Sequence, residues 1–144
     1  MIDDLRCRLI LNSRGQLTTE VEVKLGESWF RSAAPSGAST GSLEAPELDA
    51  QEAMDALMEA KQELLKMNED EMDVYLQDNI QKFGRAAVAL SFALFKSKPI
   101  EIDQFPYPLG NILGGGKHGG GTDIQEFLIS PKTVSYTHLR AHET

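Results

Sequence analysis

The sequence predicts an α+β fold: a three-stranded antiparallel meander, then helices, then a new strand after a long glycine-rich loop. Three observations carry that prediction. Thr18 to Leu25 alternates strictly, with Thr19, Val21, Val23 and Leu25 on one face and Thr18, Glu20, Glu22 and Lys24 on the other. From Glu47 the apolar period changes from two residues to roughly 3.6. Gly110 to Gly121 is then rich in glycine, and the apolar run Ile124 to Ile129 follows it.

The elements follow in order. Arg6 to Leu11 is a short apolar run, and Ser13-Arg14-Gly15-Gln16 supplies a turn with a glycine open to positive φ. Gly26-Glu27 is a second tight turn, and Ser28 to Ala34 is a third strand that Pro35 ends. Ala50, Ala53, Met54, Leu57, Ala60, Leu64 and Leu65 form one apolar helical stripe, with Glu52, Asp55, Glu59, Gln62 and Glu63 outside it. Asn68 with Glu71 three residues on has the form of a capping box. It opens a shorter helix that buries Met72, Tyr75, Leu76 and Ile80. Gly84 precedes a third helix, Arg85 to Lys96, apolar almost all round and therefore expected to be buried; Pro99 falls beyond its end. Ile124 to Ile129 reads as a strand buried on both faces, with Gln125 and Glu126 set in it. Burying Glu126 there would require a partner.

Composition narrows the classes. Of 144 residues, 41% are hydrophobic and 25% charged, an ordinary globular mixture. The formal net charge of -8 leaves nothing to neutralise a row of phosphates, so no nucleic-acid partner is expected. A single cysteine, Cys7, forms no internal disulfide and fits a reducing, cytoplasmic setting. The opening MIDDLRCRLI has an acidic pair where a signal peptide needs basic residues. The longest nearly apolar run, Ala86 to Phe95, is about half of what a membrane crossing needs, so no membrane span is expected. Residues 134–144 share no pattern with the rest. SYTHLRAHET reads as non-native read-through; the competing reading, a metal-binding tail using His138 and His142, requires a helix there.

Two glycine-rich segments match motifs of other chemistries. Gly37-Ala38-Ser39-Thr40-Gly41 satisfies the nucleophile elbow of serine hydrolases, but the large parallel sheet and paired base are missing. Gly114, Gly116 and Gly119 satisfy a dinucleotide fingerprint without a βαβ unit or the following acidic residue. Composition alone also allows two solvent-exposed linkers. Against that, Ser36 to Gly41 offers hydroxyls and free backbone geometry to an anion or hard cation. His118, flanked by glycines, suggests a lid hinge.

Taken together, Asn12-Ser13-Arg14-Gly15, Thr19-Glu20-Val21-Glu22-Val23, Pro35 to Gly41, Glu44-Ala45, the Ala86 to Leu94 helix and Asn111 to Phe127 stand in the order they have in enolases. The chain resembles that family over about residues 5 to 132, and the spelling GGGKH…TDIQEF is similar to archaeal members. The resemblance implies an enolase N-terminal-like domain over 1–104, the start of an incomplete β/α barrel over 105–133, and a probable non-native tail over 134–144. It implies a lyase, phosphopyruvate hydratase, acting on 2-phosphoglycerate and phosphoenolpyruvate with two Mg2+ ions, in a homodimer or higher oligomer. Carried over by position, Ser39 is a metal ligand, His118 and Gln125 contact substrate, and Glu126 is catalytic on the acid side. Ser36, Gly37, Ala38, Thr40 and Gly41 belong to one mobile loop; Gly116, Lys117 and Gly119 belong to another. Arg14 and Glu20 match residues near the family's dimer contact, with a structural role expected. Asn12 departs from the family's usual aspartate, and the segment after Glu47-Leu48 is short. The barrel carboxylates and base lysine have no counterpart, so the chain by itself is expected to be inactive. The alternative reading is a stand-alone α+β interaction or regulatory module.

Overall fold

The structure, a computed structural model, describes residues 1–34, 37, 41–99, 106–116 and 121–130. The chain divides into two compact units, residues 1–100 and residues 101–144. In the first unit the alternating stretches form one antiparallel sheet, β1 (Asp4–Leu11), β2 (Leu17–Leu25) and β3 (Ser28–Ala33), in the order β1-β2-β3. The register sets Leu5 opposite Val23 and Cys7 opposite Val21, and then Val23 opposite Phe30. All of these side chains lie on the face turned to the helices, because residues two apart share a face. Leu5, Val21 and Val23 are fully buried and Thr19 nearly so, as the alternation predicts.

The other face of the sheet is charged. Arg8 pairs with Glu20 directly across the strands and reaches Glu22 at 3.7 Å, while Arg6 covers the Trp29 ring at 4.1 Å from its centroid.

The helical stripe is split. α1 (Ala50–Glu59) gives way to the single turn α2 (Lys61–Leu64), where hydrogen bonds from Glu63 and Leu64 both end on the Ala60 carbonyl. Ala53, Leu57, Ala60 and Leu64 are buried, whereas Ala50, Met54 and Leu65 are only half-buried. Asp49 caps α1 by accepting from the Gln51 and Glu52 amides at 2.9 and 3.1 Å. The capping box at Asn68 and Glu71 is present, at 3.0 and 2.9 Å, and opens α3 (Glu69–Asp78). A turn not expected from the sequence, α4 (Ile80–Phe83), follows Asn79 and buries Phe83 completely. Phe83 stands 6.0 Å from the Tyr75 ring.

α5 (Arg85–Phe95) packs chiefly on β2 and β3. Its buried side is largely alanine, Ala86, Ala89 and Ala93 among them, which lets a helix approach a sheet closely. The expectation of burial all round is corrected on its far side, where Phe92 and Phe95 are 47% and 55% exposed.

In the second unit the strand read within Ile124 to Ile129 is present as β5 (Glu126–Ile129), but it is not buried on both faces. It pairs antiparallel with β4 (Gly110–Gly114), inside the stretch expected to be loop, and every residue of both strands is exposed. An apolar run shows that a strand can be buried, not that a covering layer is present. Among the described residues no closed barrel is formed.

Candidate functional site

The first glycine-rich segment leaves β3 in the first unit. Of its predicted residues, Gly37 and Gly41 are described; Ser36, Ala38, Ser39 and Thr40 lie outside the described residues. Both described glycines are held by contacts from flanking elements. Arg14, at the tip of the β1–β2 turn, donates from Nη1 to the Gly37 carbonyl at 3.1 Å. That turn is built on Asn12, whose Oδ1 accepts from the Arg14 and Gln16 amides at 2.9 and 3.0 Å. Asn12 therefore performs, as an acceptor, what an aspartate would do at this position. On the other side, the Gly41 amide donates to Glu44 Oε1 at 2.9 Å and the Glu44 amide returns a bond to the Gly41 carbonyl at 3.2 Å. Beyond it, Arg85 Nη1 lies 3.4 Å from Glu47 Oε1.

Neither clamp is among the site residues that the sequence suggests. The Gly41–Glu44 pair has a signal, since a carboxylate three residues after a free amide is the reciprocal pattern of a capping box. The 23-residue reach from Arg14 to Gly37 has none.

The second segment is described only at its two ends. Lys117, His118 and Gly119 lie outside the described residues, whereas Gly116, Gln125 and Glu126 lie within them. The Gly115 amide donates to the Gln125 carbonyl at 2.8 Å, and the Gly116 amide donates to the Thr122 carbonyl at 2.9 Å. A Cβ on Gly115 would sit 2.1 Å from Thr122 Oγ1 and 2.3 Å from the Ile124 carbonyl, so only glycine fits. Gly116 has φ +56°. The loop is thus pinched at its base, and Gln125 and Glu126 emerge directly after the pinch. Glu126 is exposed, in register with Gly114, so the burial cost expected for its carboxylate does not arise.

A cleft of about 540 Å³ lies beside the segment that follows Gly41, between Leu43, Glu44 and Pro46 on one wall and Asp73, Gln77 and Ser91 on the other. Ser91 Oγ donates to Asp73 Oδ1 at 3.0 Å within that second wall. Among the described residues no three His, Cys, Asp or Glu side chains gather to hold a metal ion. The described donors therefore do not fit a complete Mg2+ site. Nor, among the described residues, is any helix long and apolar enough to cross a membrane.

A charged three-stranded meander roofed by helices, with Gly37 and Gly41 beyond its third strand bonded by Arg14 and Glu44, defines an α+β domain. The family described as Enolase, N-terminal domain matches residues 2–103, and the chain belongs to that family. It is similar to the enolase of Haloarcula marismortui, 37% identical over 158 aligned positions that cover 91% of this chain and 39% of that protein. The enolases of Archaeoglobus fulgidus and Methanothermobacter thermautotrophicus are 34% and 35% identical, covering 91% of this chain and 39% and 38% of those proteins. The archaeal likeness expected from the sequence agrees with these relatives. The chain spans about two fifths of the length of the curated relatives it matches.

Proposed function

We propose that this chain is part of an enolase, the lyase interconverting 2-phosphoglycerate with phosphoenolpyruvate and water, and that by itself it does not turn over. One observation carries this reading. Similarity to proteins named enolase covers 91% of the chain, more than the 2–103 matched by the family, so it continues into the second unit. The proposed division is an N-terminal domain over 1–104, the start of a barrel over 105–133 and a non-native tail over 134–144.

In this reading the proton beside the substrate carboxylate leaves to a lysine of the barrel, and the hydroxyl on the neighbouring carbon departs as water. Glu126 serves that departing side, Gln125 faces the substrate, and His118 approaches the phosphate from the second loop. Ser39 would be one ligand of a magnesium ion in the complete enzyme, where the ion would offset negative charge developing on the substrate, and the small residues Ser36, Gly37, Ala38, Thr40 and Gly41 would give its loop room to move. Lys117 and Gly119 share the second loop with Gly116. Magnesium enters only with the complete enzyme, which is proposed to be a cytoplasmic homodimer or higher oligomer.

The test has two parts. The chain alone, assayed for elimination from 2-phosphoglycerate with magnesium, is expected to stay at background; turnover above it would overturn the inactivity. A chimera carrying residues 1–130 in place of the matching part of the Haloarcula marismortui enolase is expected to be active. Glu126→Gln in it should lower kcat by roughly 10²- to 10⁴-fold. A folded chimera with no activity, or one indifferent to Glu126→Gln, would count against the assignment.

A second reading is supported by the closed core of the first unit: a stand-alone α+β interaction or regulatory module. The DNA beyond the Val134 codon separates the two. A continuing frame with barrel carboxylates supports the enzyme portion, and a stop codon supports the module.

A further inference from the structure

α3 carries a surface that the enolase reading does not use. Met67, Val74 and Tyr75 floor a groove of about 500 Å³ along the outer side of this helix, and Asp70, Glu71 and Asp78 rim it. Val74 is 59% exposed, an apolar side chain between two aspartates placed one helical turn before it and one after. The helix has five acidic residues and no basic one.

The neighbouring acids are already engaged. Glu69 is bound by Lys98 at 2.7 Å, Asp73 accepts from Ser91, and Glu71 closes the capping box. Asp70 and Asp78, by contrast, make no ion pair among the described residues. At one end of the groove the Tyr75 hydroxyl donates to Glu63 Oε2 at 2.9 Å, which fixes that ring against the floor.

We infer that this groove docks a cationic amphipathic helix of a partner protein, its apolar stripe on Val74, Met67 and Tyr75 and its lysines or arginines on Asp70 and Asp78. The dimensions suit that occupant. Ten residues of α3 extend about 15 Å, the length of two to three turns of a facing helix. A second copy of this chain does not suit it. A two-fold contact sets the same patch against itself, so Asp70, Glu71 and Asp78 would face their own copies with no basic residue among those lining the groove.

The experiment is fluorescence anisotropy of a labelled Leu/Lys amphipathic helical peptide of about 18 residues, titrated with the full chain. The doubly substituted Val74→Lys/Asp78→Lys chain is expected to bind at least about tenfold more weakly. Lysine at 78 suits the end of α3, where the helix dipole favours a cation, so the variant keeps its fold, checked by circular dichroism. A control with the same change in charge elsewhere, Glu27→Lys/Asp55→Asn, should lose less than about half as much on a logarithmic scale. Equal loss in both variants means diffuse attraction and overturns the site; unchanged binding in the groove variant does the same. Concentration-dependent dimers of the unsubstituted chain that vanish with Val74→Lys would also overturn it, in favour of a second copy.

Discussion

Gly84 joins α4 to α5 at φ +51° and ψ -137°, and a Cβ there would meet the Pro46 carbonyl at 2.8 Å and Leu48 Cγ at 2.9 Å. Both the backbone conformation and the space exclude a side chain, so Gly84→Ala should destabilise the first unit by about 1–3 kcal/mol. A urea melt reads this, and an unchanged midpoint would contradict the packing of residues 46–48 on that turn. Cys7 illustrates a different local effect. It lies on the helix-facing side of β1 opposite Val21, and burial pushes its thiol up to about 12 from an ordinary 9.0. The attacking species is the thiolate, so at pH 8 the native thiol should react with a disulfide reagent about a thousandfold more slowly than in the unfolded chain. Equal rates would place Cys7 outside the core. Sequence alone placed Cys7 in a strand; how far its thiol is shielded depends on what the helices lay over it.

Elements are tied together by a few charged contacts. Lys61 on α2 reaches Asp4 on β1 at 2.6 Å, with side chains 24% and 31% exposed. The Lys61 hydrogen bond, then the Leu5 amide, hold the Asp4 carboxyl below its ordinary 3.8. A depressed acid stabilises the fold above its unfolded value and loses that contribution as pH falls through the folded one. Stability should therefore decline below about pH 4 more steeply in the parent chain than in Lys61→Met, with a difference at pH 7 of roughly 0.2–1 kcal/mol. Parallel acid limbs in urea melts across that range would remove the contact from the account. At this scale the meander, the capping box and the helical stripe were legible, because each is written in local spacing. The breaks at Ala60 and Asn79 were not. Neither residue is a glycine or proline, and the chain turns there because Leu64 and Phe83 must reach one core.

For the whole molecule the contrast between the two units matters most. The first closes a core between its sheet and its helices, whereas Ile112, Leu113, Ile124, Phe127, Leu128 and Ile129 of the second are 43–63% exposed. Exposed apolar strand edges associate, so the full chain should show concentration-dependent light scattering that a chain ending at residue 104 does not. A monodisperse full-length monomer would contradict this. By itself the sequence determined the strand alternation, the capping box at Asn68 and the family, since these depend on neighbours two to four residues apart or on short ordered motifs. It also named Gln125 and Glu126, and the structure describes them where a strand was expected, though exposed. Only the tertiary structure decided that Arg14 anchors the Gly37 carbonyl, that Gly84 receives Pro46 and Leu48, and that the Ile124 to Ile129 run lies uncovered. Such contacts join residues tens of positions apart. Burial, likewise, is a property of what packs against a strand and not of the strand's own composition.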